Sequence, residues 1–438
     1  MDRLTQSVTK IGLLQHAGGG NLGDDATLAA VAANIRRRWP DVEIVAFTMN
    51  PDDTEKRHGI MSHPIRRKGW SLGNKPAGTE ATLVETVKEA LRHKYWAIFY
   101  LLKAANALVR LPSEVFRELS FLVSSRRNIK SVDLLIICGG GQLTEKEGPW
   151  ALPYTIFKWV FLARSAGVRC MFLNLGAGPL TQPLAKFFVT RALLAADYVS
   201  LRDNNSRALV HGIGFRGKSR VFPDCVYGLE VATTNGSPLG KRTRAIVGFA
   251  PMPYPYPDRG PRGYRAEKDQ ILYDEFIRKL AIFASSLAGQ SYALTIFGSD
   301  IGVDPLAIED LQMALRSNHG ITSSQCSVNQ FVKSLHDLLA TMSGMDYVVT
   351  CRFHGVVFAH LLNKPVIAIA HHPKVVDLMT DLELSSYCVD VRDFDLKLLT
   401  ERFAAMVIRA DEIKSRMAAS LTRNKQRLTS QFDELFRC

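Results

Sequence analysis

Arg352 and His354 stand two residues apart in CRFHGVVFAH (351–360), a fixed cation beside a titratable imidazole. A guanidinium grips phosphate or carboxylate through paired hydrogen bonds. An imidazole moves protons near neutral pH. The competing reading is a capping or core histidine. Arg202 ends an apolar run in SLRDNNS (200–206), where it could equally form a surface ion pair while Asp203 caps the next helix. His371 and His372 are lesser candidates, and His360 reads as structural. Two glycine loops follow apolar runs. GGGNLGDDA (18–26) holds Asn21, a polar side chain aimed off a strand end, and Asp24 and Asp25, which could simply cap a helix. CGGGQL (138–143) offers Gly139, Gly140 and Gly141 as a ligand floor or as close backbone packing.

These residues need strand ends to position them. Strand-like runs at 10–15, 42–49, 132–141, 168–175, 197–203, 245–251, 292–298, 346–350 and 364–370 alternate with helix-like stretches at 24–39, 153–167, 181–196, 269–289 and 327–342. Near-continuous apolar strands separated by helices predict parallel sheets covered on both faces. The fold class is therefore α/β, with two Rossmann-like domains facing a cleft. The first spans 1–232 and carries a basic helical insertion at about 56–130. The second spans 244–395, and a helical tail covers 396–438. The polar stretch 233–243 is the linker. In open parallel sheets, ligands bind beyond the carboxyl ends of the strands, where the residues above fall.

The 438 residues are 47% hydrophobic and 22% charged, which excludes a disordered chain and allows two cores. Seven cysteines without paired spacing exclude a disulfide scaffold and suit a reducing compartment. The start has no signal-peptide pattern, and no apolar run is long enough to span a membrane. A cytoplasmic protein is expected. No acidic residue follows the second strand to hold a ribose, which argues against NAD. No metal-ligand spacing occurs, and neither a resident cofactor nor a metal is expected. The net charge is +13, but residues 56–130 hold fifteen Lys or Arg against five Glu, a net +10. Basic and apolar character together allow docking on an anionic membrane surface. The plainer alternative is a helical hairpin packed on its own domain. No recognition motif points to nucleic acid.

In order along the chain, GNLGDDA, the CGGG strand, NLGAGPL, SLRDNNS, VFPDCVYGL (221–229) and CRFHGVVFAHLLNKPVIAI resemble the polysaccharide pyruvyl transferase family. The resemblance runs from about residue 11 to 390. It implies a glycosyltransferase B-type architecture and transfer of pyruvate from phosphoenolpyruvate onto two sugar hydroxyls, closing a cyclic ketal. It implies that Arg202 and Arg352 bind the donor's phosphate and carboxylate. His354 would be the acid that protonates the methylene carbon or the base that takes the sugar proton. Asn21, Asp24 and Gly139–Gly141 would line the acceptor side, and Asp224 would lie near the domain junction. In PMPYPYPDRGPRG (251–263), Tyr254 and Tyr256 would stack on a sugar, unless the segment is only a rigid loop. The partners implied are phosphoenolpyruvate and a saccharide; a lipid-linked saccharide would bring the protein to the inner membrane face. A nucleotide-sugar glycosyltransferase would instead need a ribose or diphosphate clamp, for which Asp300, Asp304 and Glu309 are lesser candidates. A non-catalytic assembly protein would be expected to have lost the cleft Arg or His.

Overall fold

Thirteen strands among the described residues form two parallel sheets. The computed structural model describes residues 8–67, 96–231, 244–255, 267–322, 324–329, 332–392 and 395–436. The first half runs β1 (Lys10–Leu14), α1 (Leu22–Arg38), β2 (Glu43–Thr48), α2 (Pro51–His58), β3 (Ser62–Pro64), α3 (Trp96–Lys130), β4 (Leu134–Cys138), α4 (Leu152–Ser165), β5 (Arg169–Leu175), α5 (Pro183–Leu194), β6 (Tyr198–Leu201), α6 (Asn204–Gly212) and β7 (Arg220–Val221). The second runs β8 (Ile246–Ala250), α7 (Glu267–Gly289), β9 (Ala293–Ile296), α8 (Asp304–His319), β10 (Cys326–Val328), α9 (Leu335–Ser343), β11 (Tyr347–Thr350), α10 (Phe353–Leu361), β12 (Val366–Ala370), α11 (Pro373–Asp381) and β13 (Cys388–Asp390). Helices α12 (Leu396–Ile408) and α13 (Ala410–Leu435) follow.

The strand orders are 3-2-1-4-5-6-7 and 10-9-8-11-12-13. Each sheet reverses direction beside its first strand, at β1/β4 and at β8/β11. Such a switch point opens a crevice at the strand ends. Register follows burial: Ile11 pairs with Leu134 in the first sheet and Val348 with Val366 in the second. Every residue of β4 and β12 is buried, as sheets covered on both faces require. Phe47 and Trp159 pack at 4.7 Å between ring centroids on one face of the first sheet. Phe249 and Phe283 anchor the core of the second.

The structure corrects or extends the sequence reading in four places. Residues 327–342 were expected to be one helix; instead β10 ends at Val328, and Ser334 caps a short α9 by accepting from the Asp337 amide. Helix α3, within the basic insertion, runs through Pro112. Strands β3, β7, β10 and β13, of two or three residues each, are too short to show a pattern. The tail reaches the first half. Phe432, Leu435 and Phe436 of its end pack with Ile35, Ile136 and Met171 of the first. The 233–243 linker, Tyr256 and residues 68–95 of the basic insertion lie outside the described residues.

Candidate active site

Asn21 ends the first glycine loop and starts α1. Its side-chain oxygen accepts from the Gly23 amide at 3.0 Å, satisfying one of the helix's open donors. The loop backbone pairs with the other half of the molecule: Leu22 N donates to Ser299 O at 3.0 Å, and Ile301 N donates to Gly20 O at 2.9 Å. Asn21 is thus a cap and a junction residue. It also brings the first turn of α1 to the strand ends of the second sheet.

That turn packs on His354. A Cβ built on Gly23 would lie 1.9 Å from His354 Nδ1, so only glycine permits the approach. His354 enters from the first turn of α10, just past β11. Its Nε2 is buried, lies 3.9 Å from Asp224 Oδ2, and has no hydrogen-bond partner among the described residues. Asp224 caps the turn at 225–228 through the Val226 amide, and its other oxygen lies 3.3 Å from Arg202 Nη1. The aspartate therefore faces both the imidazole and the arginine.

Arg202 is buried, not a surface residue. Asp203 lies 3.4 Å from its Nε and also caps α6, as the alternative reading held. The guanidinium lies over the Phe353 ring at 4.0 Å, and the Lys374 ammonium lies 5.9 Å from the same ring. Arg352 precedes α10. Its Nε donates to Asp304 Oδ1 at 3.1 Å, its Nη2 contacts the same oxygen, and Asp300 Oδ2 lies 3.6 Å away. Asp304 is fully buried and also accepts the Ser299 and Asp300 amides. Two of the three acids considered as a nucleotide clamp, Asp300 and Asp304, are thus engaged in holding an arginine.

The glycines of 139–141 divide. Gly139 has a positive φ of 32°, and a Cβ there would meet Thr27 at 2.7 Å. Gly140 faces the Asp24 carboxylate. Gly141 is exposed, with open space around it. The first two pack against α1, the alternative to a ligand floor. Tyr254 packs on His371 at 6.1 Å between ring centroids. His371 Nδ1 lies 2.8 Å from Cys351 O, and His372 caps α11. His360 is structural: its nitrogens meet Tyr227 Oη and Met417 O, each at 2.9 Å.

The charges act on one another. Burial pushes the Asp24 carboxyl up to about 7; Asp25, Asp300 and Asp224 add to the rise, and Lys374 opposes it. Burial lowers His354 to about 4, helped by Arg202 and Lys374 and opposed by Asp224. Lys374 falls to about 8 through burial, Arg202, Lys146 and Arg352, with Asp24 opposing. His371 and His372 are pushed down to about 3 and about 4, first by burial and then by Lys374. The arrangement suits an anionic ligand among Arg202, Arg352, Lys374 and Lys146, with a proton-carrying acid and a neutral imidazole beside it.

Sequence reasoning missed Lys374 and Lys146. One signal was present for the first: HHPK puts a lysine in the opening turn of a helix, against the helix dipole. Lys146, in the loop after CGGG, carried no local signal.

A family model described as polysaccharide pyruvyl transferase matches residues 21–373. No curated protein shows significant sequence similarity to the chain. Among solved structures, the chain is similar to Anabaena HepE in complex with UDP (TM-score 0.54, 12% identity, 97% of each chain covered). It is also similar to a putative UDP-N-acetylglucosamine 2-epimerase from Listeria monocytogenes (0.53, 11%, 98% of each). A third similar structure is the UDP-GlcNAc 2-epimerase of Methanocaldococcus jannaschii (0.52, 10%, 90% of this chain and 92% of that one). At these identities the likeness shows the fold, a two-domain glycosyltransferase B-type architecture.

Proposed function

Because the chain belongs to the polysaccharide pyruvyl transferase family, we propose that it moves pyruvate from phosphoenolpyruvate onto two hydroxyls of a saccharide. The observation that carries this reading is the convergence, from both halves, of Arg202 and Lys374 on the Phe353 ring, close enough to Arg352, Asp24 and His354 for their charges to act on one another. Phosphoenolpyruvate presents a phosphate and a carboxylate on one small skeleton, and separate cations match the two groups.

The inverted proton affinities assign the steps. Asp24, carrying a proton near neutral pH, gives it to the methylene carbon, which becomes a methyl group. Positive charge develops at the neighbouring carbon and is shared with its ester oxygen. A sugar hydroxyl adds to that carbon as its proton passes to neutral His354. The carbon–oxygen bond to phosphate breaks, and phosphate leaves towards the cations with the proton that His354 had taken; the second hydroxyl then closes the ketal as its proton passes to the Asp24 carboxylate, which restores the acid. Of the two roles open to His354, its low proton affinity favours the base.

The test is ligand-induced stabilisation of the purified protein. Phosphoenolpyruvate should raise Tm and uridine diphosphate should not. Arg352→Ala should remove the shift, and His354→Ala should keep it while abolishing ketal formation. Stabilisation by the nucleotide alone would overturn the assignment in favour of a nucleotide-sugar enzyme. Full ketal formation by His354→Ala would remove that residue from the chemistry.

A further inference from the structure

An aromatic and aliphatic surface covers the outer side of α3, α4 and α5. Phe161 on α4 is 50% exposed and Phe187 on α5 is 47% exposed. Both lie against Phe157, at 4.4 and 6.1 Å between ring centroids. On α3, Leu119 and Val123 are more than half exposed, and Val115 nearly half. With Arg126 they recur at helical spacing, and Arg126 reaches across to Ser165 at the end of α4. The three helices therefore present one continuous outward band.

The charge of this band is predominantly positive. Residues 148–197 contain five Lys or Arg against one acid, Asp197, which lies 3.3 Å from Arg164 Nη1. Arg191 lies 5.5 Å from the Phe187 ring, which places a cation directly beside an apolar anchor. The acids that α3 contributes are held by cations: Glu118 lies 3.0 Å from Lys158 Nζ, and Glu114 contacts Arg67. Exposed aromatic side chains among cations that outnumber the acids match a bilayer surface bearing anionic headgroups. A second copy fits poorly, since a self-paired face would bring like charges together. No helix of the described residues is long and apolar enough to cross a membrane, so contact would be with the surface.

The location adds a further argument. Helices α4 and α5 begin at the carboxyl ends of β4 and β5, and the loop into α4 carries Gly141 and Lys146. Trp150, four residues beyond Lys146, joins the aromatic ridge at 5.5 Å from Phe188. The apolar band thus adjoins the mouth of the crevice.

We propose that the outward face of α3, α4 and α5 docks on an anionic lipid bilayer, holding the crevice at the membrane surface. The experiment is sedimentation of the full-length protein with vesicles of mixed phosphatidylglycerol and phosphatidylcholine, compared with phosphatidylcholine alone. The wild type should pellet with the anionic vesicles and be released as salt rises. Phe161→Ser with Phe187→Ser should weaken binding about tenfold. Arg164→Glu with Arg191→Glu should weaken it comparably, and this charge pair decides the matter if the phenylalanine pair does not fold. A wild type that stays in the supernatant overturns the proposal, as does wild-type binding by a folded double variant. A wild-type dimer that the phenylalanine pair converts to monomer would give the face to a second copy. None of these outcomes depends on the donor, so the docking proposal can fail while the reading of the crevice stands.

Discussion

A carboxyl that ordinarily titrates near 3.8 is held at about 7, and an imidazole that ordinarily titrates near 6.5 is held at about 4. The order of Asp24 and His354 is reversed. Near neutral pH the aspartate can give a proton and the histidine can take one. Activity should therefore rise through about pH 4 as His354 becomes neutral, and fall above about pH 7 as Asp24 ionises. Asp24→Asn should lower kcat by ~10²–10⁴-fold with little change in the KM for phosphoenolpyruvate. A variant that keeps wild-type kcat would remove Asp24 from the acid role. The same shift bears on stability. Between the ordinary value of 3.8 and about 7, the unfolded chain has ionised Asp24 while the folded chain keeps its proton. Wild-type stability is lost across that window and is level above it. The Tm advantage of Asp24→Asn should grow from pH 4 to pH 7 and then stay constant. A gap independent of pH would contradict the raised carboxyl.

At the scale of elements, the site depends on two helix starts meeting. α1 begins at Asn21 and α10 at Phe353, and they touch where Gly23 meets His354. Gly355 continues the fit, since a Cβ there would lie 2.2 Å from Thr350 Oγ1. Gly23→Ala should push His354 off its position and cost about 100-fold in kcat or more. Donor-induced stabilisation should survive, because Arg202 and Lys374 are untouched. Unchanged kcat would mean that the contact does not position the imidazole. Much of this was legible in the sequence, because glycine loops after apolar runs mark strand ends and CRFHG marks a turn into a helix. What stayed hidden depends on contacts between distant segments. Nothing local says that Asp304 holds Arg352, or that Asp224 faces both Arg202 and His354. Residues 327–342 misled because their apolar spacing suits a helix, while the parallel partner β9 takes the first two residues, with Cys326, as an edge strand.

The whole molecule is strapped by its last helix. α13 lies near α10 at Met417, whose carbonyl oxygen meets His360 Nε2 at 2.9 Å. It ends on the first sheet, where fully buried Gln431 donates to Asn174 Oδ1 at 2.8 Å and to Ser200 Oγ and Tyr198 Oη, each at 3.0 Å. Arg38 pairs with Asp433 on the same end. One helix thus bonds to an element of each half, and the proposed donor site draws residues from both. Loosening the strap should weaken the site without touching it. Gln431→Leu keeps the approximate volume but leaves buried polar partners unsatisfied, at a cost of about 1–3 kcal/mol. Denaturant unfolding should register that loss. Titration with phosphoenolpyruvate should show weaker binding, because Arg202 on the first half and Lys374 on the second must be held together to meet one anion. A variant that is destabilised yet binds the donor as tightly as wild type would show that the strap supports the fold alone, and that the junction at Asn21 and Asp300 is enough to align the two halves.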